Sequence, residues 1–122
     1  MSEKVNWSYL VHAASGPQIA AAAVIEVDAY DKFDVTIATG VTQTVDLVPS
    51  TGSVKLLVLN PDAPDPKLSY AVDGKDIPLD APHVLLGAGA VSLLGKMTAL
   101  TFKNATQSDI ALQIIVGRDA TP

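Results

Sequence analysis

The chain has 122 residues, 48% hydrophobic and 17% charged, which suits one cored domain and argues against disorder. Eight basic and thirteen acidic residues give a net charge of −5, leaving no basic stripe to displace the counterions of a nucleic acid. The absence of cysteine excludes a disulfide scaffold, a thiolate zinc site, an iron–sulfur centre and a cysteine nucleophile.

Residue choice favours strands throughout. Val, Ile and Thr supply 30 of the 122 residues, and these stiff side chains pack best on a pleated surface. Asp outnumbers Glu eleven to two, a ratio that suits turns and caps better than helix interiors. No stretch sustains a helical apolar stripe for three turns. A first strand is predicted over 7–12, ended by Ser15-Gly16-Pro17. The alanine run of 20–23 allows a helical turn over 19–22, but alternation from Ala23 to Ala29 predicts a strand. A turn at 30–32 would then join it in a hairpin to 33–37.

Gly40 breaks that pair, and a strand over 41–48 closes at Pro49-Ser50-Thr51-Gly52. Residues 54–59 are apolar on both faces past Lys55, which predicts a central strand covered on both sides. Three prolines within 61–66 make 60–66 a loop, since each removes a donor and biases its predecessor to extended backbone. A strand over 68–72 ends in the tight-turn signal Asp73-Gly74-Lys75-Asp76. The stretch 82–95 reads as two short strands, or a strand and a bulge, with Gly87 and Gly89 allowing a bend. Strands over 99–103 and 110–116 finish the sheet. Eight or nine short strands predict a single all-β domain over 1–122, an antiparallel, jelly-roll-like β-sandwich.

Candidate chemistry is sparse. His12 and His83 are the only histidines, and no Gly-x-Ser-x-Gly elbow sets a serine beside either, so no catalytic site is assigned. The histidines lack metal-ligand spacing. Asp62, Asp65, Asp73, Asp76 and Asp80 offer oxygens for a hard cation, but one strand separates the 60–66 loop from the 73–76 turn and sets them at opposite ends. No metal site or cofactor is therefore expected. Gly87-Ala88-Gly89 lacks the Gly-Lys-Ser/Thr of a phosphate loop. The two Asn-x-Ser/Thr triplets, at Asn6 and Asn104, are read as chance. Of the six aromatics, Trp7 and Tyr70 are the best candidates for sugar contact. Asp62, Asp65, Tyr70 and His83 form the candidate mouth of a ligand site. Arg118-Asp119 is read as an exposed ion pair or an inter-subunit contact.

Pro61-Asp62-Ala63-Pro64, a strand, and then Val72-Asp73-Gly74 resemble the Pro-Asp-Ala-Pro…Val-Asp-Gly signature of a bacterial extracellular β-sandwich domain of unknown function, the DUF4397 family. The likeness covers residues 61–74, with a spacing two residues longer and Leu59-Asn60 in place of the family's His-Ala/Ser lead-in. Those departures keep it a local similarity on which no function is based.

A mean hydropathy of +0.31 is high for a 12.7 kDa domain. The strands at 54–59, 84–94 and 110–116 carry apolar residues on both faces, whereas a two-layer sandwich buries one face per sheet. A second copy of the chain is the simplest cover. Leu57, Leu59, Leu85, Leu86, Leu93, Leu94 and Ile115 are the candidate interface. The expected function is non-enzymatic: a structural, homo-oligomeric protein such as a phage, virion or surface-lattice component. The alternative is a ligand-binding module for a carbohydrate or a small apolar molecule. No secretory signal or membrane-spanning stretch is read, so synthesis in the cytoplasm or virion-type assembly is expected.

Overall fold

Period-two alternation of apolar and polar residues builds strands along most of the chain. A computed structural model describes residues 3–47, 53–95 and 99–119. Its strands are β1 (Glu3–His12), β2 (Gln18–Val27), β3 (Ala29–Ile37), β4 (Thr42–Asp46) and β5 (Ser53–Pro61). They continue with β6 (Asp65–Val72), β7 (Lys75–Leu79), β8 (His83–Leu86), β9 (Ala99–Asn104) and β10 (Ile110–Asp119). A single helical turn, α1 (Ala88–Val91), leads into a 3-10 turn at Ser92–Leu94.

Eight of these strands form a sandwich of two antiparallel four-stranded sheets, in the orders β3-β10-β5-β8 and β4-β9-β6-β7. The pairing is nested. β6 and β7 form a tight hairpin, and outside it β5 pairs with β8, β4 with β9 and β3 with β10. The hairpin turn needs positive φ at both central residues, and Asp73 (φ 48°) with Gly74 (φ 76°) supplies it.

Alternate residues of each strand meet between the sheets. Ile110, Leu112, Ile114 and Val116 of β10 face inward beside Leu57 and Leu59 of β5, and Leu68, Tyr70, Leu100 and Phe102 lie opposite. Asn104 is the buried polar residue among those described, and its amide is fully used. Nδ2 donates to the carbonyls of Ile37 (2.8 Å) and Ser108 (2.9 Å), and Oδ1 accepts from the Thr106 amide (2.9 Å). This network ties the β9–β10 loop to the end of β3.

Several local expectations change. β2 begins at Gln18 rather than Ala23, and Ile19–Ala22 is strand, because each residue pairs across to β1, from Val11↔Ile19 to Ser8↔Ala22. No hairpin joins β2 to β3; the chain bends at Asp28, and β3 pairs with β10 instead. Local alternation cannot reveal a partner some seventy residues away. β7 is a further strand, hidden by its length of five residues and by Pro78. After β8 the chain turns helical rather than forming a second strand or a bulge, burying Val91 and Leu94 at a spacing of three. The end of the strand predicted over 41–48 and its closing turn lie outside the described residues.

Phe102→Ala should lower unfolding stability by about 3–5 kcal/mol, the usual cost of emptying a phenylalanine site in a sandwich core. Urea denaturation followed by far-UV circular dichroism checks this.

Candidate functional site

Among the described residues β1 and β2 pair only with each other, in a ten-rung antiparallel ribbon running from Glu3↔Val27 to His12↔Gln18. Directly opposed residues share a face. One face therefore carries Val5, Trp7, Tyr9, Val11, Ile19, Ala21, Ala23, Ile25 and Val27, with Glu3 its only ionisable carboxylate. The opposite face carries Lys4, Asn6, Ser8, His12, Gln18 and Glu26, together with Ala20, Ala22 and the exposed Leu10 and Val24. Trp7 and Tyr9 stack with their ring centroids 5.8 Å apart and their planes within 3°.

The base of the ribbon is seated on the sandwich. Val27 is buried against Gly117; an added Cβ there would lie 3.0 Å from the valine side chain and 3.2 Å from Leu56, so a larger residue would force its neighbours to give way. The Asp28 amide donates to the Arg118 carbonyl (2.9 Å), and Lys55 Nζ donates to the Glu26 carbonyl (2.9 Å). Beyond that seat Val5, Trp7, Ala21 and Ile25 are half-buried, and the apolar face opens toward the far end of the ribbon. Tyr9 is 44%, Val11 64% and Ile19 66% exposed.

The two sheets differ on their outer faces. That of β4-β9-β6-β7 is polar, with Thr42, Thr44 and Asp46 beside Thr101 and Lys103 and a Thr44–Thr101 hydroxyl contact of 3.0 Å. On the other sheet the register aligns Ile115, Val58 and Val84 across β10, β5 and β8, next to the row Tyr30, Gly117, Leu56 and Leu86. Val84 and Tyr30 are exposed, whereas Val58, Leu86 and Ile115 are half-buried. This patch adjoins the seat of Val27. Toward the other end of the same sheet the surface turns polar, in a groove of about 370 Å³ whose lining includes Asp34, Asn60, Asp62 and Gln113.

The residues expected at an interface fall into three groups. Leu57, Leu59 and Leu94 lie in the core, so they meet this chain's own opposite sheet and offer nothing to a partner. Leu85 also turns inward, half-buried against the core. Leu86 and Ile115 lie on the outer apolar patch, and Leu93 projects from the 3-10 turn at 73% exposure. The ribbon face is the feature that the expected interface left out. Its signal was the alternation of Val5, Trp7, Tyr9 and Val11.

Nor do the residues expected at a ligand mouth converge. Tyr70 is 1% exposed, beside Phe102 in the core, and so presents no surface to a sugar. Its hydroxyl is hydrogen-bonded to His83 Nδ1 at 2.8 Å; the phenol donates when the imidazole proton is on Nε2 and accepts when it is on Nδ1. Burial raises the Tyr70 pKa to about 12; burial also lowers that of His83, against the opposing pull of the Asp80 carboxylate. Asp62 Oδ1 accepts from the Ala111 amide (3.0 Å), and Asp65 Oδ1 from the Lys67 amide (2.8 Å), so both brace the backbone. His12 ends β1, its Nδ1 3.2 Å from the Ala13 carbonyl. Among the described residues no cluster of three or more His, Asp or Glu side chains is placed to hold a metal. Arg118 and Asp119 do not pair with each other: Arg118 binds Asp31 and Asp119 lies 3.6 Å from Lys55. No helix among those residues is long and apolar enough to cross a membrane.

No known family model matches the chain, and neither does any curated protein sequence. The likeness over 61–74 therefore stays local, and the geometry alone carries the functional reading.

The Tyr70–His83 pair sets an expected pH dependence. His83 resists protonation in the folded state, so the unfolded chain binds the extra proton more readily, and stability should fall as pH drops through the range below about 6.5. Tyr70 resists ionisation, so stability should also fall as pH rises from about 10 toward 12. Chemical denaturation across pH checks both limbs: His83→Gln should flatten the acid one and Tyr70→Phe the alkaline one.

Proposed function

We propose that this chain is a non-enzymatic structural protein that assembles with copies of itself, as a component of a shell, tail or surface lattice of the phage or virion kind. The observation that carries this reading is the ribbon's uncovered apolar face. A two-stranded ribbon is marginal in water on its own, and stability requires a third strand or a packed face. No third strand joins this ribbon within the described chain, and beyond the half-buried Val5, Trp7 and Ile25 its apolar side leaves Tyr9, Val11 and Ile19 exposed. Its outer strand edges are also unpaired among the described residues, an arrangement that invites another chain.

The nested pairing supports a jelly-roll reading of the sandwich. If β3 to β10 are counted as the first to the eighth strand, the sheet orders become 1-8-3-6 and 2-7-4-5. Such an order arises when one long hairpin of four strand pairs is wrapped on itself. Jelly rolls serve as shell-forming and ligand-binding domains, and architecture alone does not choose between these roles. The apolar ribbon favours the first. A ligand-binding role would rest on the polar groove around Asn60 and Gln113, which has no aromatic platform in its lining.

Light scattering at micromolar concentration should give a mass that is a multiple of 12.7 kDa. The double substitution Val11→Asp with Ile19→Asp places two carboxylates on the open ribbon face. It should reduce the species to a monomer and shift the thermal midpoint of that monomer by no more than a degree or two. A wild-type chain that runs as a monomer up to 100 micromolar would overturn the reading.

A further inference from the structure

We infer that the groove across β3, β10 and β5 binds a neutral sugar ring through a pair of adjacent hydroxyl groups. The inference goes beyond the self-assembly reading and does not depend on it, because the groove lies toward the opposite end of the sheet from the Val27 seat.

Strand register builds the groove. Gln113 of β10 lies between Asp34 of β3 and Asn60 of β5, so three polar side chains stand in one row across the sheet. Residues two apart on a strand share a face, which sets Ala111 and its partner Thr36 beside that row. Asp62 clasps Ala111 from the other side: its amide donates to the Ala111 carbonyl (2.9 Å), and its Oδ1 accepts from the Ala111 amide (3.0 Å). The Ala111 methyl is thus the one short side chain among five polar ones. It leaves a depression of about 370 Å³, at the small end of the roughly 300–1,000 Å³ of small-molecule sites.

The polar atoms are oriented before a ligand arrives. Asn60 Nδ2 donates to Gln113 Oε1 (3.1 Å), which fixes how both amides are turned. That leaves Gln113 Nε2 as a donor, with Asn60 Oδ1 and Asp62 Oδ2 as acceptors, none of them partnered among the described residues. A hydroxyl both donates and accepts, so two adjacent hydroxyls match this set: one donates to the Asp62 carboxylate while the other accepts from the Gln113 amide. Other chemistries fit worse. An anion meets the carboxylates of Asp34 and Asp62 on a chain that carries −5. An organic cation meets the Lys32 ammonium, 3.3 Å from Asp34, and leaves the Gln113 donor unused. A flat aromatic ligand finds no ring in the lining to stack on. The same lack of a ring leaves the sugar held by hydrogen bonds alone, with an affinity in the millimolar range.

Saturation-transfer NMR observes the weak ligand itself, whatever the size of the protein, and tests the site with D-glucose, D-mannose and D-galactose. The expected result is a saturable signal from ring protons of at least one of the three. Methyl glycosides of the same sugars separate two sources that both support the site: a signal kept with them indicates a sugar at a chain end, and one lost with them a free sugar. Ala111→Leu fills the depression and Gln113→Met removes the donor; each should weaken the signal at least tenfold. Both positions are exposed, so the thermal midpoint should not move. Val11→Asp with Ile19→Asp, on the ribbon, should leave the sugar signal unchanged even where it disperses an oligomer. No saturable signal from any of the three sugars would overturn the inference. So would a signal that both groove variants leave intact, or one given by methylammonium or acetate in place of the sugars. None of these results bears on the oligomer mass, which tests the self-assembly reading separately.

Discussion

A strand shows alternate side chains to opposite sides, so a strand that is apolar on both sides needs two covers. This requirement governs most of the molecule. In β10 and β5 the inward rows Ile110, Leu112, Ile114, Val116, Leu57 and Leu59 are covered by the opposite sheet. The outward row of β5 is covered in part: Leu56 and Val27 are both buried on either side of Gly117, while Val58 remains half-open. The same shortage of cover reaches its extreme in the outer ribbon, where Tyr9, Val11 and Ile19 stay exposed beyond the half-buried Val5, Trp7 and Ile25. The sandwich core is covered within the chain, whereas the outer ribbon and Val84 stay exposed.

The seat at Gly117 links the two regimes. There the register of β10 against β5 shifts, at the bulge between Gly117 and Arg118, and the missing side chain lets Val27 pack against Gly117. Arg118 then binds Asp31 on β3, and Lys55 reaches both the Glu26 carbonyl and Asp119. The ribbon is thus held at a definite angle to the sheet. A ribbon held this way presents its apolar face in a fixed direction, which lowers the ordering cost that a flexible arm would meet on docking.

Much of the fold was legible because its signals are local. β-branched residues, alternation and the Asp73-Gly74 turn identify the strand class, the sandwich and the end of β6. The partner of β3 was not legible: Phe33, Val35 and Ile37 pair with Ile114, Leu112 and Ile110, and the match depends on the whole chain winding back on itself. The helical turn at Ala88–Val91 was hidden in the same way, since Gly87-Ala88-Gly89-Ala90 has no strong preference and Val91 is drawn inward by the core. For the candidate surface, the excess of apolar residues correctly signalled two-sided strands but did not assign the sides. Leu57 and Leu59 alternate with Leu56 and Val58, and a one-residue choice of face decides which pair is core. Tyr70 shows the same ambiguity, because an aromatic within a strand can serve the core or a surface equally well.

Hydrogen exchange of the ribbon amides at low and high protein concentration tests the central claim most directly. Self-association through the ribbon predicts that residues 5–11 and 19–25 exchange fast in dilute solution and become protected as concentration rises, with the β4-β9-β6-β7 sheet unaffected. Ribbon exchange that stays equally fast across the whole concentration range would contradict it.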